Sequence, residues 1–180
     1  MKKKDQGLLH YVFALMLISW AITAMLCFVM LLRAQRLKGY LEDCMTQAGL
    51  AALLIEPYTY GRSGELIFPD PARVEEVFWQ YLQDGLGTEE NQAAAGIGGD
   101  VTLADFIVYE MTAAGIREYE RQEDGTYLET VHPLGETVYA PDGTQVISGT
   151  IYSKIRLPVR VWGNRTVEVE RQHCVDIVRN

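Results

Sequence analysis

The first pattern along the chain is a run with no polar rhythm. Residues 8–32 make 25 positions without a charge, and only His10, Ser19 and Thr23 interrupt their apolar character. A bilayer core needs about 20 apolar residues in a helix. No Pro or Gly breaks the run, and basic residues stand on both sides of it, as at headgroup depth. The pattern predicts a transmembrane helix over 8–32. Leu8, Val12, Leu15, Ser19, Ile22, Leu26, Val29 and Leu32 sample its length as the positions that would meet lipid or neighbouring helices. A cleaved secretory signal has an apolar stretch of only about 7–15 residues before a small-x-small site. Here the run is longer and Arg33-Ala34-Gln35 follows it. Cys27 follows Ala24-Met25-Leu26, with no small residue directly before it as a lipoprotein site would have, and reads as an apolar helix position.

The helical spacing does not stop at the membrane. Leu37, Tyr40, Leu41, Cys44, Ala48, Ala51, Ala52 and Ile55 continue at intervals of three and four. Pro57 is expected to end the helix, because the residue before a proline avoids helical dihedrals. This continuation, 33–56, is rich in small residues, and Gly49 in a helix costs about 1 kcal/mol against Ala. Close packing against another element is what would offset that cost. Residues 58–68 read as a loop. Asp70-Pro71 then marks a helix start, with Asp as cap and Pro in the first turn. Val74, Val77, Phe78, Tyr81 and Leu82 share one face, and Gly85 is placed to end a helix over 71–84. The Gly- and Ala-rich stretch 85–100 reads as a mobile loop.

From Val101 the period changes to two. Strands are expected at 101–109, 116–121, 127–131 and 136–139, with Asp124-Gly125 and Pro141-Asp142-Gly143 as turns. Ile151, Ile155, Leu157, Val159 and Val161 share one parity; Tyr152, Lys154, Arg156 and Arg160 share the other. After Trp162-Gly163-Asn164, Val167, Val169, Val175 and Ile177 line one face, with Glu168, Glu170 and Asp176 opposite. A hairpin that superposes the two apolar faces is expected to place Val161 opposite Val167, Val159 opposite Val169 and Arg160 opposite Glu168. Pro158 cannot donate to a ladder, which predicts an edge or a bulge there. The fold class is thus α+β: a long N-terminal helix, a second helix, and an antiparallel sheet over 101–178. Residues 57–180 form the domain beyond the membrane, and the helices cover the sheet's one apolar face.

Charge changes where this domain is placed. The whole chain has formal net charge −8. Residues 1–38 hold Lys2, Lys3, Lys4, Arg33, Arg36 and Lys38 against Asp5, whereas the remainder holds ten basic and 23 acidic residues. The acidic balance argues against a nucleic-acid partner. Basic residues flank the span on both sides, so their count does not orient it. The short tail 1–7 is too small to form a domain, and the acidic β-rich part is the one suited to work outside. The expected topology is single-pass, with a cytoplasmic N-terminus and an extracytoplasmic C-terminal domain.

Candidate chemistry is sparse. His10, His132 and His173 show no metal-ligand spacing. His173 and Cys174 are adjacent, so on a strand they face opposite ways and make no joint nucleophilic site. His173 shares a face with Val175 and reads as a satisfied, half-buried residue. No nucleophile elbow, phosphate loop or dinucleotide fingerprint occurs, and Gly96-Ile97-Gly98-Gly99 reads as a flexible loop. The carboxylates show no pairing that singles out an acid and a base. No catalytic residue, metal site, cofactor or small-molecule substrate is expected. Cys44 and Cys174 are a candidate disulfide in an oxidising compartment, although parity puts Cys174 on the polar face. Asn164-Arg165-Thr166 is a glycosylation sequon at a turn.

Two short stretches carry a resemblance. Lys2-Lys3-Lys4-Asp5-Gln6-Gly7 directly before the apolar run is similar to the basic leader that prepilin peptidase cuts after a Gly. Tyr40-Leu41-Glu42-Asp43-Cys44-Met45-Thr46-Gln47-Ala48-Gly49-Leu50-Ala51-Ala52 resembles the Ala-rich continuation just past the membrane in TadE-like proteins. The whole plan resembles TadE-like pseudopilins, type IV pilin-like proteins of bacterial tight-adherence (Flp) pilus systems. The resemblance implies cleavage between Gly7 and Leu8. It also implies assembly through the apolar helix, with other pilin-like subunits and a pilus assembly platform as partners besides the lipid bilayer. The family commonly carries Glu at the fifth residue after the cut. Here that residue is Val12, which suits a minor or tip-located subunit better than a major one. The alternative is a single-pass membrane protein whose outer domain binds a ligand or partner.

Overall fold

The computed structural model describes residues 2–54, 68, 70–87, 96–162 and 165–176. The expected loop at 58–67, the centre of the glycine-rich stretch at 88–95, the turn and sequon residues Gly163 and Asn164, and Ile177 lie outside the described residues, as do Ile55 and Pro57. The chain divides into two compact units, Met1–Gly39 and Tyr40–Asn180.

Helix α1 spans Lys2–Leu53. It begins ahead of Leu8, so the basic residues before the apolar run are helical too. Its N-terminal unit contains no other element. By length and composition α1 could cross a membrane, and none of its most apolar window is buried within the molecule.

The second unit holds the rest of α1, α2 (Pro71–Leu86), β1 (Thr102–Thr112), β2 (Gly115–Arg121), β3 (Tyr127–Pro133), β4 (Thr150–Trp162) and β5 (Arg165–Asp176). The strands form one five-stranded sheet in the order β3-β2-β1-β4-β5, antiparallel throughout. The expected strand at 136–139 is absent: only an isolated bridge between Tyr139 and Gln145 forms there.

Helix α2 starts as its sequence requires, with the Asp70 carboxylate accepting from the Ala72 N–H at 2.9 Å and Pro71 in the first turn. It ends later than expected. Gly85 lies inside the helix, and Gly87, at φ 77°, caps it by donating to the carbonyls of Gln83 and Asp84. The two extra residues bury Leu86 beside Val74, Phe78 and Leu82. Tyr81, expected on that face, is exposed. Gly85 serves a contact instead: a Cβ there would stand 3.3 Å from Cys44 Sγ, and its carbonyl accepts from the Tyr40 hydroxyl at 2.6 Å.

The end of α1 meets the sheet through small residues. Leu41, Cys44, Met45, Ala48, Gly49, Ala52 and Leu53 are buried, a stripe repeating every three to four residues. A Cβ on Gly49 would lie 2.7 Å from Val175 Cγ2, so glycine at this position is what lets α1 touch β5. Beside it, Thr46 spends its one hydroxyl proton on the Glu42 carbonyl, and His173 Nε2 stands 2.9 Å from Thr46 Oγ1. His173 is thus half-buried and satisfied, as its parity suggested. Across this same face Phe78 of α2 packs on Phe106 of β1, with ring centroids 5.2 Å apart.

The opposite face corrects the expectation of a one-sided sheet. Ile107, Tyr109, Ile116 and Tyr152 form a second apolar cluster with Val138, Ala140 and Val146, and Cys174 packs against it. Residues 136–149 cover this face as an irregular strap. The continuous run Phe106-Ile107-Val108-Tyr109 is the local cause, since a strand apolar at consecutive positions must bury both faces.

The final hairpin keeps the expected parity but not the expected partners. Val159 pairs with Val167, Leu157 with Val169 and Arg160 with Thr166, and the register shifts between Arg160 and Trp162. The ladder is displaced by two residues, which leaves the apolar sets together. The ion pair expected between Arg160 and Glu168 is replaced by Arg156 Nε to Glu170 at 2.6 Å and Lys154 Nζ to Glu170 at 3.0 Å. Pro158 lies past the last β1 partner of β4, Arg156. There the neighbour is the segment 96–99, which is not the flexible loop expected: Gly98 donates to the Pro158 carbonyl at 2.7 Å, and buried Ile97 bridges to Val159.

Candidate functional site

The largest uncovered chemical feature is the α1 surface over residues 10–32. Every residue there except Met30 is exposed. Trp20 is 73% accessible, and Val12, Leu15, Ile22, Leu26, Val29 and Leu32 are all exposed with it. Val12, Leu15, Ser19, Ile22, Leu26 and Val29 recur at alternating steps of three and four, so they form one stripe along the helix. Leu32 lies beside its end, while Phe13, Trp20 and Phe28 occupy other sides. A helix apolar all round loses little free energy in lipid and much in water. Its one internal polar pair is satisfied: Thr23 Oγ1 donates to the Ser19 carbonyl at 2.9 Å. Gly7 and Leu8 both lie within α1.

The cysteine pair does not form. Cys27, Cys44 and Cys174 are all free thiols. Cys44 faces Gly85 of α2, whereas Cys174 faces the second cluster on the other side of the sheet. Two thiols separated by a sheet cannot reach disulfide distance. Burial pushes the Cys174 thiol up to about 12, so it stays protonated and unreactive.

Sequence reading missed the polar groups that the tertiary structure brings together. Glu110 is 4% exposed, accepting from the Phe68 N–H at 3.2 Å and the Tyr119 hydroxyl at 3.4 Å, with Arg117 at 3.8 Å. Glu75 of α2 accepts from Arg121 Nε at 3.0 Å and from the Tyr127 hydroxyl. Burial, then the Glu75 carboxylate, raises the Tyr127 phenol far above its usual range. These groups tie α2 and the chain at Phe68 to β1, β2 and β3. Each carboxylate is partnered, so their chemistry is structural. No signal in the sequence distinguishes Glu75 or Glu110 from the other carboxylates.

On the second face, His132 Nε2 lies 2.8 Å from Glu118 Oε2 and Nδ1 lies 3.5 Å from Glu136 Oε1. The hydrogen bond to Glu118 raises its pKa above 6.5, with Glu136 adding to the shift. A cavity of about 120 Å³ opens on the same face, lined by Asp105, Glu120, Arg121, Pro141 and Tyr152 among others. That is room for a few waters, below the several hundred Å³ of a small-molecule site. Among the described residues no group of three or more His, Cys, Asp or Glu side chains is arranged to hold a metal ion.

No family model, curated protein or solved structure matches the chain. The described geometry therefore assigns an α+β protein with one helix able to span a membrane.

Proposed function

We propose that the protein is a non-enzymatic, membrane-anchored pseudopilin-like subunit of a type IV or Tad-like pilus or secretion filament. The observation that carries the reading is the contrast within α1. Residues 10–32 present an apolar surface that is exposed everywhere but at Met30, while one stripe from Leu41 to Leu53 is buried in an α+β head. Such a helix is suited to lipid before assembly and to a bundle of like helices after it. In this reading the N-terminus is cytoplasmic, the acidic head is extracytoplasmic, and Gly7–Leu8 is the cleavage point. Lipid, other pilin-like subunits and an assembly platform are the partners.

The test is the intact mass of the protein isolated from membranes of a host with active prepilin peptidase. A mature species beginning at Leu8 supports the reading, and uncut protein overturns it. Val12 at the position where the family commonly has Glu favours a second reading, a single-pass protein whose head binds a ligand or partner. Co-purification with a pilus ATPase or platform protein separates the two.

A further inference from the structure

The strap over the second face is held at its root by one side chain. His132, at the end of β3, places one ring nitrogen 2.8 Å from Glu118 on β2 and the other 3.5 Å from Glu136, the residue that opens the strap. A neutral imidazole has a single N–H and can serve only one carboxylate as donor; its other nitrogen presents a lone pair. Only the imidazolium donates to both. The arrangement therefore demands a proton that the neutral ring lacks. When the ring is neutral, the shorter contact to the less exposed Glu118 persists and Glu136, about half exposed, is the partner released.

Behind Glu136 the strap carries Val138, Ala140 and Val146 onto Ile107, Tyr109, Ile116 and Tyr152. Its backbone is tied by the Glu136 N–H to the Pro133 carbonyl, Ala140 to Thr144, Gly143 to Ala140 and Val146 to Val138, and apart from the first these bonds lie within the strap itself. We propose that His132 is a proton-operated latch, which fastens residues 136–149 over the second apolar face when protonated and loosens them when neutral. The titratable groups facing it are Glu118 from β2 and Glu136 from the strap. Tyr109 of β1, paired with Glu118, remains a neutral phenol because burial and that carboxylate both raise it. Arg117 and Val131, paired with each other in β2 and β3, alternate with Glu118 and His132 and so project from the other face. The latch is independent of the filament reading, since it involves only the head.

Hydrogen exchange on the full-length protein in detergent micelles tests this, with rates corrected for intrinsic pH dependence. Protection of the Ala140 and Val146 amides is expected to fall about two- to fivefold between pH 6 and pH 8.5, the scale of a partly exposed ion pair. Amides of Val108 and Ile151 should not follow. Glu136→Gln keeps the Glu118 contact and the fold, and should give flat, uniformly lower strap protection. His132→Gln should do the same. A pH-independent strap in the wild type, an equal fall in Glu136→Gln, or a matching fall at Val108 and Ile151 would each overturn the latch.

Discussion

Two stretches of α1 are equally helical and do opposite things. Over residues 10–32 the side chains are mostly large and apolar, and all but Met30 are exposed. Over Leu41 to Leu53 one stripe is buried, with Leu41, Met45 and Leu53 filling space and Cys44, Ala48, Gly49 and Ala52 leaving room for close approach. The difference is in what the helix is matched to. A lipid environment needs only an apolar surface of sufficient length, and sets little demand on shape. A protein core needs complementary shape, because interiors are packed like crystals. Tolerance to substitution should therefore differ sharply between the two stretches, by chemistry in the first and by volume in the second.

The largest expected effect is in the packed region. Phe78→Ala removes a fully buried ring packed at a tilt against Phe106 and should destabilise the head by about 3–5 kcal/mol in denaturant unfolding. Trp20→Ala, which removes a larger but uncovered ring, should leave that midpoint unchanged. An equal loss for both would break the comparison. Next comes a charge in the apolar stretch. Ile22→Arg should cost about 3 kcal/mol of membrane insertion, read as loss of resistance to carbonate extraction, with the head's unfolding unaltered.

Volume is tested at Gly49. Ala is the better helix former by about 1 kcal/mol, yet its Cβ would meet Val175 Cγ2 at 2.7 Å. Gly49→Ala should thus be a net loss of roughly 1–2 kcal/mol, as overpacking commonly is. Combining it with Val175→Ala should cost less than the sum of the single changes, a coupling that a double-mutant cycle measures. A stabilised Gly49→Ala protein would show that the α1–β5 contact is loose.

The smallest effect is the pH dependence at His132. Its folded pKa is raised, so its stabilisation is fully present below the unfolded value of 6.5 and disappears as pH rises through the folded value. Wild type should lose a little stability across that interval, and His132→Gln should flatten this part of the curve.

Much of the fold is legible because its causes are local. Asp70-Pro71 predicts the start of α2, and the alternation from Thr150 onward predicts the parity of the last hairpin. Where partners from distant parts of the chain decide, local signals mislead. Gly85 looks like a helix end, but it is the point where Cys44 approaches; the cap is two residues later, where the backbone turns to positive φ. The hairpin register slides by two in two steps, one in the pairing of Trp162 with Arg165 and one at the irregularity between Arg160 and Trp162, and parity does not distinguish registers that differ by two. The strand expected at 136–139 has the right composition and instead serves as cover. Cys174 has polar neighbours in sequence and an apolar environment in space.

The amino-acid sequence by itself determined the long apolar helix, the α+β order of elements, the acidic balance of everything beyond residue 38, and the sites of the main turns. Each of these follows from periodicity, capping chemistry or charge within a short window. Only the tertiary structure decided that the sheet has two covered faces, that Gly49 is a contact with Val175, that Cys44 and Cys174 stand apart, and that His132 sits between two carboxylates. Most of those pairings join residues far apart in the chain and are selected by shape, so no short window of sequence contains both partners; at His132 Glu136 is only four residues away, and what the fold adds is Glu118 from the neighbouring strand.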